Sequence, residues 1–371
     1  MLTKASPHPP RPTLATLAKE LGVSKSTVSL VLNGKGRVGA ETRRRIERAV
    51  QQLNYQPRAA KRRGGTSQRR LGHVGIVCPV APLNVGRTDT LSGWILSAQQ
   101  EIRRLGGDVS LFVGSRHVHE DHLFEALLQQ GEMDGILLMG IGDEDGYLEM
   151  VQRAGRPAVA VNRRATNEEF SYVAWDDIGA GHKMAEYLMG LGHRRLGVIY
   201  NDAPGRLFHR HRRDGFITAL SQRGLKPVLV QGSHDFSDAT NHALVANLHD
   251  AGVTAAFATN DVRAVGLINA CEHLGVAVPQ DVSIAGFDNT ELRSHGGLRP
   301  TSAGCTKQNI GVEAVTLMKR LLDPNRKIRF LASVLDVDVV VHNTTGPAPE
   351  ESQSYPTQER RRAVPVTQSG S

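Results

Sequence analysis

Apolar residues recur at helical spacing in three short segments near the start of the chain. Leu14, Leu17, Ala18 and Leu21 fall at i, i+3, i+4 and i+7, which is one face of a helix. Thr13 stands where an N-cap belongs and Gly22 where a helix stops. A second helix is expected to start at the cap candidate Ser24, bury Val28, Val31 and Leu32, and end around Asn33-Gly34. A third runs from about Ala40 to Asn54, with Ile46, Ala49, Val50 and Leu53 on one face. Its start is weakly capped, because Gly39 offers no side-chain oxygen.

From Leu71 the texture changes. HVGIVCP, DVSLFVG, DGILLMG, PAVAVN, RLGVIY, PVLVQG, AAFATND and VSIAGFDN are apolar runs of strand length, separated by amphipathic segments of helix length. One of these helices carries Leu91, Trp94, Ile95, Ala98 and Ile102 on a single face, a stripe that suits packing on its own sheet better than a subunit contact. Strands alternating with helices predict parallel sheets covered on both faces. About 270 residues of this pattern exceed what one sheet usually needs, so two lobes are expected.

Composition divides the 371-residue chain in the same place. Residues 1–70 hold 16 Lys and Arg against 3 Asp and Glu, a net of +13. The whole chain is +8, so the remainder carries −5. A basic head on a mildly acidic body points to nucleic acid; a basic arm that only aids solubility is the alternative, and the helical patterning argues against it. No apolar run is long enough to cross a bilayer, and MLTKASPHPPRPT lacks the apolar core of a signal peptide. The three cysteines, Cys78, Cys271 and Cys305, are widely spaced. They read as small core residues in a reducing compartment, and a cytoplasmic protein is expected.

The stretch GVSKSTVSLVLNG carries the chemistry of the head. Two helices joined by a tight turn, the second small-faced and rich in hydroxyls, suit a DNA-reading helix-turn-helix. The face opposite Val28, Val31 and Leu32 presents Ser24, Lys25, Ser26, Thr27, Ser29 and Leu30. Hydroxyls donate to phosphate oxygens without bulk, Lys25 reaches guanine acceptors, and Leu30 touches a thymine methyl. Arg37, Arg43 and Arg44 stand nearby for phosphates. A three-helix protein-interaction module shares the pattern.

The run L-G-V-S-x-x-T-V-S-x-V-L-N, then V-x-x-E-T-R, then L-N-Y-x-P resembles, in order and spacing, the DNA-binding domain of the LacI/GalR family of bacterial repressors. About 45 residues align without a gap, and DGILLMG, LGHRRLGVIY, RRDGF, AAFATNDVRAVG and VPQDVSIAGFDN continue the likeness to about Thr345. The resemblance implies a small all-α helix-turn-helix head and an α/β body of two lobes with parallel sheets, like a type I periplasmic binding protein. It implies that Lys25, Ser26 and Leu30 read bases while Ser24, Thr27, Ser29 and Asn33 anchor to phosphates, with Thr13, Arg37 and Arg43 beside them. It also implies a homodimer on a near-palindromic double-stranded operator. In the family a hinge helix wedges a Leu into the minor groove. Here Gly64 stands in that place, preceded by Ala59, Ala60, Lys61, Arg62 and Arg63. A Gly has nothing to insert, so residues 57–70 are read as a basic linker whose Arg62 and Arg63 enter a narrow groove electrostatically.

In the body, polar residues just past apolar strands are the candidates for ligand binding, because the cleft of open α/β sheets lies beyond the strands' carboxyl ends. Asn260 and Asp261, Asp288 and Asn289, and the segment RLFHRHRRDGF with Arg206 and Arg212 qualify; a helix-capping turn is the competing reading for each. The resemblance assigns Arg212, Asn260 and Asp288 to effector contacts, Phe236 to stacking, and Arg206 to a second anion or hydroxyl position. The density of Arg and His over 206–213 leaves a sugar and a phosphorylated sugar both open as effector.

Other motifs carry less. SRHVHEDH has metal-ligand residue types, but no distant partner completes it, and no metal or cofactor is expected. GLGHRRLG has the wrong glycine spacing for a dinucleotide loop. With no nucleophile–base pair and no cofactor loop, an α/β enzyme is disfavoured; a non-DNA solute-binding protein is opposed by the basic head. The expected organisation is a disordered arm over 1–12, a helix-turn-helix domain over 13–56, the linker over 57–70, a two-lobed effector-binding and dimerisation domain over 71–345, and a disordered tail over 346–371. The expected function is a ligand-responsive regulator of carbohydrate-utilisation genes, a repressor released by a small sugar-like effector.

Overall fold

The computed structural model describes residues 14–32, 39–52, 71–79, 89–113, 122–142, 146–164, 170–201, 207–233, 235–304, 307–325 and 328–350. The chain divides into two compact units, Met1–Gln68 and Arg69–Ser371.

The first unit holds α1 (Leu14–Leu21), α2 (Lys25–Leu32) and α3 (Ala40–Gln52). Ser24 starts α2 as its N-cap: its hydroxyl accepts from the Thr27 N–H at 3.0 Å. Gly22 takes a left-handed φ of 63° to turn the chain between α1 and α2. Ala18, Val28, Val31 and Ile46 form the core, with Leu21, Val23, Ala49 and Val50 packed around it. Arg45 adds a tie by donating to the Leu21 carbonyl at the end of α1.

The second unit alternates strand and helix. In order it contains β1 (His73–Cys78), α4 (Asp89–Arg104), β2 (Asp108–Val113), α5 (His122–Gln130), β3 (Gly135–Met139), α6 (Tyr147–Arg153), β4 (Ala158–Val161) and β5 (Ser171–Trp175). Then follow α7 (Asp177–Gly190), β6 (Leu196–Tyr200), α8 (Leu207–Gln222), β7 (Val228–Gln231), α9 (Asp238–Asp250), β8 (Ala255–Ala258), α10 (Asp261–Leu274) and β9 (Ser283–Phe287). The last elements are β10 (Thr301–Gly304), α11 (Lys307–Leu321), β11 (Ala332–Leu335) and β12 (Asp338–Val340).

These strands make two six-stranded sheets, β11-β5-β4-β3-β1-β2 and β12-β10-β9-β8-β6-β7. All pairings are parallel except β10 with β12. The central strands are apolar throughout, as in β3, where all five residues are buried, because helices cover both faces. The chain passes between sheets through β5–α7, β10–α11 and β11–β12. α11 packs on α4 and on β3, β4 and β5, and so belongs to the first sheet. Leu91, Trp94, Ile95, Ala98 and Ile102 of α4 are all buried, and the core around them is continuous from one sheet to the other.

The tail begins later than the sequence suggests. Gly346 donates to the Ser283 hydroxyl and accepts from His193, while Ala348 donates to the Leu191 carbonyl. Residues 346–348 therefore lie against the body. The expected arm over 1–12, the linker over 57–70, the tail over 351–371, and His117, His119, Glu120 and Asp121 of the metal candidate fall outside the described residues. Among the described residues no group of His, Cys, Asp and Glu is placed to hold a metal.

Candidate functional site

Arg212 organises the place where the carboxyl ends of the two sheets meet. It lies on α8, and its side chain is only 1% exposed. Nε donates to Asp177 Oδ1 at 2.9 Å, and Nη1 donates to the Thr259 carbonyl at 2.7 Å. Asp288 Oδ1 stands 3.5 Å from Nη1. The guanidinium lies over the Phe287 ring, 3.3 Å from its centroid, with Phe208 at 5.1 Å and Trp175 at 5.9 Å. A buried cation needs both a counter-charge and hydrogen bonds, and Arg212 has them from three separate chain segments. Burial pushes the Asp177 carboxyl up, and the facing guanidinium pulls against that rise.

Close helix packing sets this geometry. A Cβ on Gly181 of α7 would collide with the Arg212 carbonyl, and one on Gly215 of α8 with the Ile178 carbonyl. The two glycines let the helix backbones touch, which brings Asp177 at the start of α7 against Arg212.

Asp288 is held in an uncommon conformation. Its φ is 111° and that of Asn289 is 48°; such left-handed residues persist only where their surroundings over-determine them. Asp261 does this. Its carboxylate accepts from Thr290 N at 2.7 Å, Thr290 Oγ1 at 2.9 Å and Ser302 Oγ at 2.7 Å. Asp261 is 1% exposed and its carboxylate is taken up by these three donors, so it positions the Asp288 turn. Asn289 is likewise committed, accepting from Arg299 Nη2.

Burial pushes the Asp261 carboxyl up to about 6, against the pull of its three donors. The folded value lies above the unfolded 3.8, so this group's stabilisation is complete below about pH 4 and lost as pH rises through about 6. Unfolding free energy measured in urea should show this fall, on the order of 3 kcal/mol, and Asp261→Asn should remove that component.

The other predicted residues fall into distinct places. Asn260 follows β8 and caps α10, its Oδ1 accepting from Arg263 N at 2.7 Å. It adjoins Thr259, which binds Arg212. Phe236, 37% exposed, stacks under the Arg263 guanidinium at 4.4 Å. Arg263 also donates to the Ser233 and Asp235 carbonyls and so fixes that loop. The structure thus brings Arg212, Asp288 and the Asn260 turn together and attaches Phe236 to Arg263. Arg206 lies outside the described residues. A cavity of about 200 Å³ lined by Arg156, Phe170 and Arg329 sits by the starts of β4 and β5, away from these strand ends.

In the head, Lys25 and Ser26 are exposed and Leu30 is 42% exposed, on the side of α2 opposite the buried Val28 and Val31. Ser24 joins its hydroxyl to those of Ser26 and Thr27 as well as capping. Arg43 is half-buried and Arg44 exposed. Thr13, Asn33, Arg37, Arg62, Arg63 and the Ser29 side chain lie outside what is described.

Sequence reasoning missed Asp177, Thr259, Trp175 and Phe287 as the walls around Arg212. A signal existed for two of them: Asp177 and Thr259 are polar residues just past strand-like runs.

Comparison with known proteins agrees with this architecture. Residues 13–58 match the model for bacterial regulatory proteins of the lacI family, and residues 185–342 match a periplasmic binding protein-like domain. An HTH-type transcriptional regulator of Mycobacterium tuberculosis is 30% identical over 366 residues, covering 92% of this chain and 99% of the relative. The HTH-type transcriptional regulator CelR of Thermobifida fusca is 29% identical over 313 residues, covering 83% of this chain and 91% of its own. A solved CelR–cellobiose complex superposes with a TM-score of 0.66 at 26% identity, covering 90% of this chain and all of that one. With a three-helix head of this form, a two-sheet body and relatives matched over nearly their whole length, the chain belongs to the LacI family of bacterial transcriptional regulators.

Proposed function

We propose that this regulator is a repressor that grips a near-palindromic operator as a homodimer and is released when a small carbohydrate enters the body. The observation that carries the DNA half is the face of α2, where Lys25, Ser26 and Leu30 are exposed opposite a buried apolar side. Small side chains let the helix backbone approach the groove, and phosphate contacts then supply salt-dependent affinity. Ser24, Thr27, Ser29 and Arg43, with Thr13, Asn33, Arg37, Arg62 and Arg63, complete this interface in our reading.

For the effector half, Arg212 of α8 lies with Asp288 and the Asn260 turn at the carboxyl ends of β9 and β8, where paired donors and acceptors suit hydroxyl groups. The cellobiose bound by the CelR relative supports a sugar. Arg206 and Phe236 are assigned to the rim of the same site. Closure of the two sheets on the ligand changes the spacing of the heads and so the DNA affinity. The cleft charges are paired for holding rather than for chemistry, so we read the body as a sensor without catalysis. The dimer face is assigned to the edge strand β2 and its neighbours, where Leu111, Val113, Leu96 and Leu123 are exposed apolar residues. No helix among the described residues is long and apolar enough to cross a membrane. We read the protein as cytoplasmic because the proposed target is chromosomal DNA.

Fluorescence anisotropy of the full chain on its own upstream DNA tests this reading. A dimer with about six phosphate contacts gives a log–log salt slope of about −5 and loses roughly a thousandfold in affinity between ~50 and ~200 mM salt. Equal affinity for scrambled DNA would contradict it.

A further inference from the structure

The cavity at the starts of β4 and β5 lies at the end of the first sheet opposite to Arg212. Its volume is about 200 Å³, and none of its described lining residues is a carboxylate. Two arginines line it, Arg156 and Arg329. Arg329 is exposed and Arg156 is half-buried. The Arg156 Nε–H is shut off from solvent without an acceptor. That sets Arg156 apart from the other arginines described as buried or half-buried in the body. Arg163, Arg164, Arg212, Arg213, Arg263 and Arg299 each donate to at least one oxygen. Among the described residues no nitrogen of the Arg156 guanidinium does so. An arginine can serve a helix end, as Arg194 does by donating to the Met189 carbonyl in the last turn of α7. Arg156 stands beside the ends of α6 and α11 and makes no such bond.

The guanidinium is nevertheless held in place. Gly131, just past α5, has a left-handed φ of 72°, and a Cβ there would collide with Arg156 Nη2. The glycine turns the chain and leaves room for the cation. Ser171 lines the same cavity and is 2% exposed. Its Oγ accepts from Leu331 N at 2.9 Å, and its O–H proton meets no acceptor among the described residues. Much of the remaining wall is apolar, from Leu148, Val151, Phe170, Leu321 and Ile328. Charged and hydroxyl donors without acceptors thus share one cavity with an apolar surface.

We propose that this cavity is a second small-molecule site, separate from the sugar site, and that it takes a small organic monocarboxylate with an apolar or aromatic body. The two guanidiniums meet the carboxylate oxygens, and the Ser171 hydroxyl donates a further bond. The apolar wall covers the body of the ligand. Charge favours a carboxylate over a phosphate. The ends of α6 and α11 each bring about half a negative charge to the cavity, so about one of the two guanidinium charges is left over. A monocarboxylate matches that remainder, whereas a phosphate dianion exceeds it. Size agrees, because a cavity of about 150 Å³ already accepts benzene. This inference stands whether or not a sugar binds beside Arg212.

Calorimetry on the full-length protein tests it. The probes are benzoate and hexanoate, with benzamide as the neutral isostere of benzoate and with inorganic phosphate and glucose 6-phosphate as the other anions. Benzoate should bind, benzamide should give no heat, and both phosphates should bind more weakly than benzoate. Arg156→Gln should weaken benzoate at least tenfold, with an unchanged melting temperature showing that the body is folded. Arg329→Gln, at an exposed position, should weaken it severalfold. No heat from either carboxylate would overturn the site, as would equal binding of benzamide. Benzoate that binds both variants as tightly as wild type sits elsewhere, which also defeats the proposal. A phosphate that binds more tightly than benzoate and is lost in Arg156→Gln would overturn the carboxylate class.

Discussion

Arg212→Ala is expected to lower the unfolding free energy of the body by about 3–5 kcal/mol and to abolish its response to ligand. Removing one partner of a buried ion pair strands the other charge. Here the stranded group is Asp177, whose side chain is 3% exposed. The Thr259 carbonyl loses its donor and the Phe287 face loses its covering cation in the same step. Denaturant unfolding followed by body tryptophan emission measures the loss. A second variant separates charge from packing. Arg212→Met combined with Asp177→Leu leaves neither member of that pair alone, so stability should recover in part. Ligand response should not recover, because the hydrogen-bonding groups are gone. Wild-type stability in Arg212→Ala would mean that the cation is not the organiser described above.

Ile46→Ala is expected to unfold the head while sparing the body. Ile46 is fully buried and, among the described residues, is the largest side chain in the buried core it shares with Ala18, Val28 and Val31. Truncating a buried Ile costs about 2–5 kcal/mol, and a domain this small rarely holds more than about 3–5 kcal/mol in total. The loss is therefore comparable to the head's whole stability. The head is a compact unit of its own, so the variant should keep the body's thermal transition and lose operator binding. Operator affinity equal to wild type would contradict the account.

Much of this fold is legible in the chain because its period changes where its architecture does. The helical spacing of Ala18, Val28 and Ile46 and the cap at Ser24 match α1, α2 and α3 closely. The eight apolar runs match β1–β4 and β6–β9. The runs SYVAW, TSAG and ASVL of β5, β10 and β11 were not recognised as strands. Thr301 and Ser302 of β10 are buried by hydrogen bonds to Thr344, Thr345 and Asp261 rather than by hydrophobicity, so no apolar run announces them. β11 is an edge strand with alternate exposure and is too short to show a period.

The site was half legible for a similar reason. Arg212, Asn260 and Asp288 stand beside recognisable runs. Asp177 is brought to Arg212 by the contact of Gly181 and Gly215, a tertiary event across 35 residues that no local pattern records. Asp261 also follows a strand. Its carboxylate, buried beneath Thr290 and Ser302, supports the Asp288 turn.

The central claim is that ligand in the body and DNA at the head are coupled, and coupling is reciprocal. The most direct test is operator affinity of the full chain with and without a saturating sugar that calorimetry shows to bind, in wild type and in Arg212→Ala. The account predicts that the sugar weakens wild-type operator binding at least tenfold, which is about 1.4 kcal/mol of coupling, and leaves the variant unchanged. Identical operator affinity in wild type with and without bound sugar would contradict it.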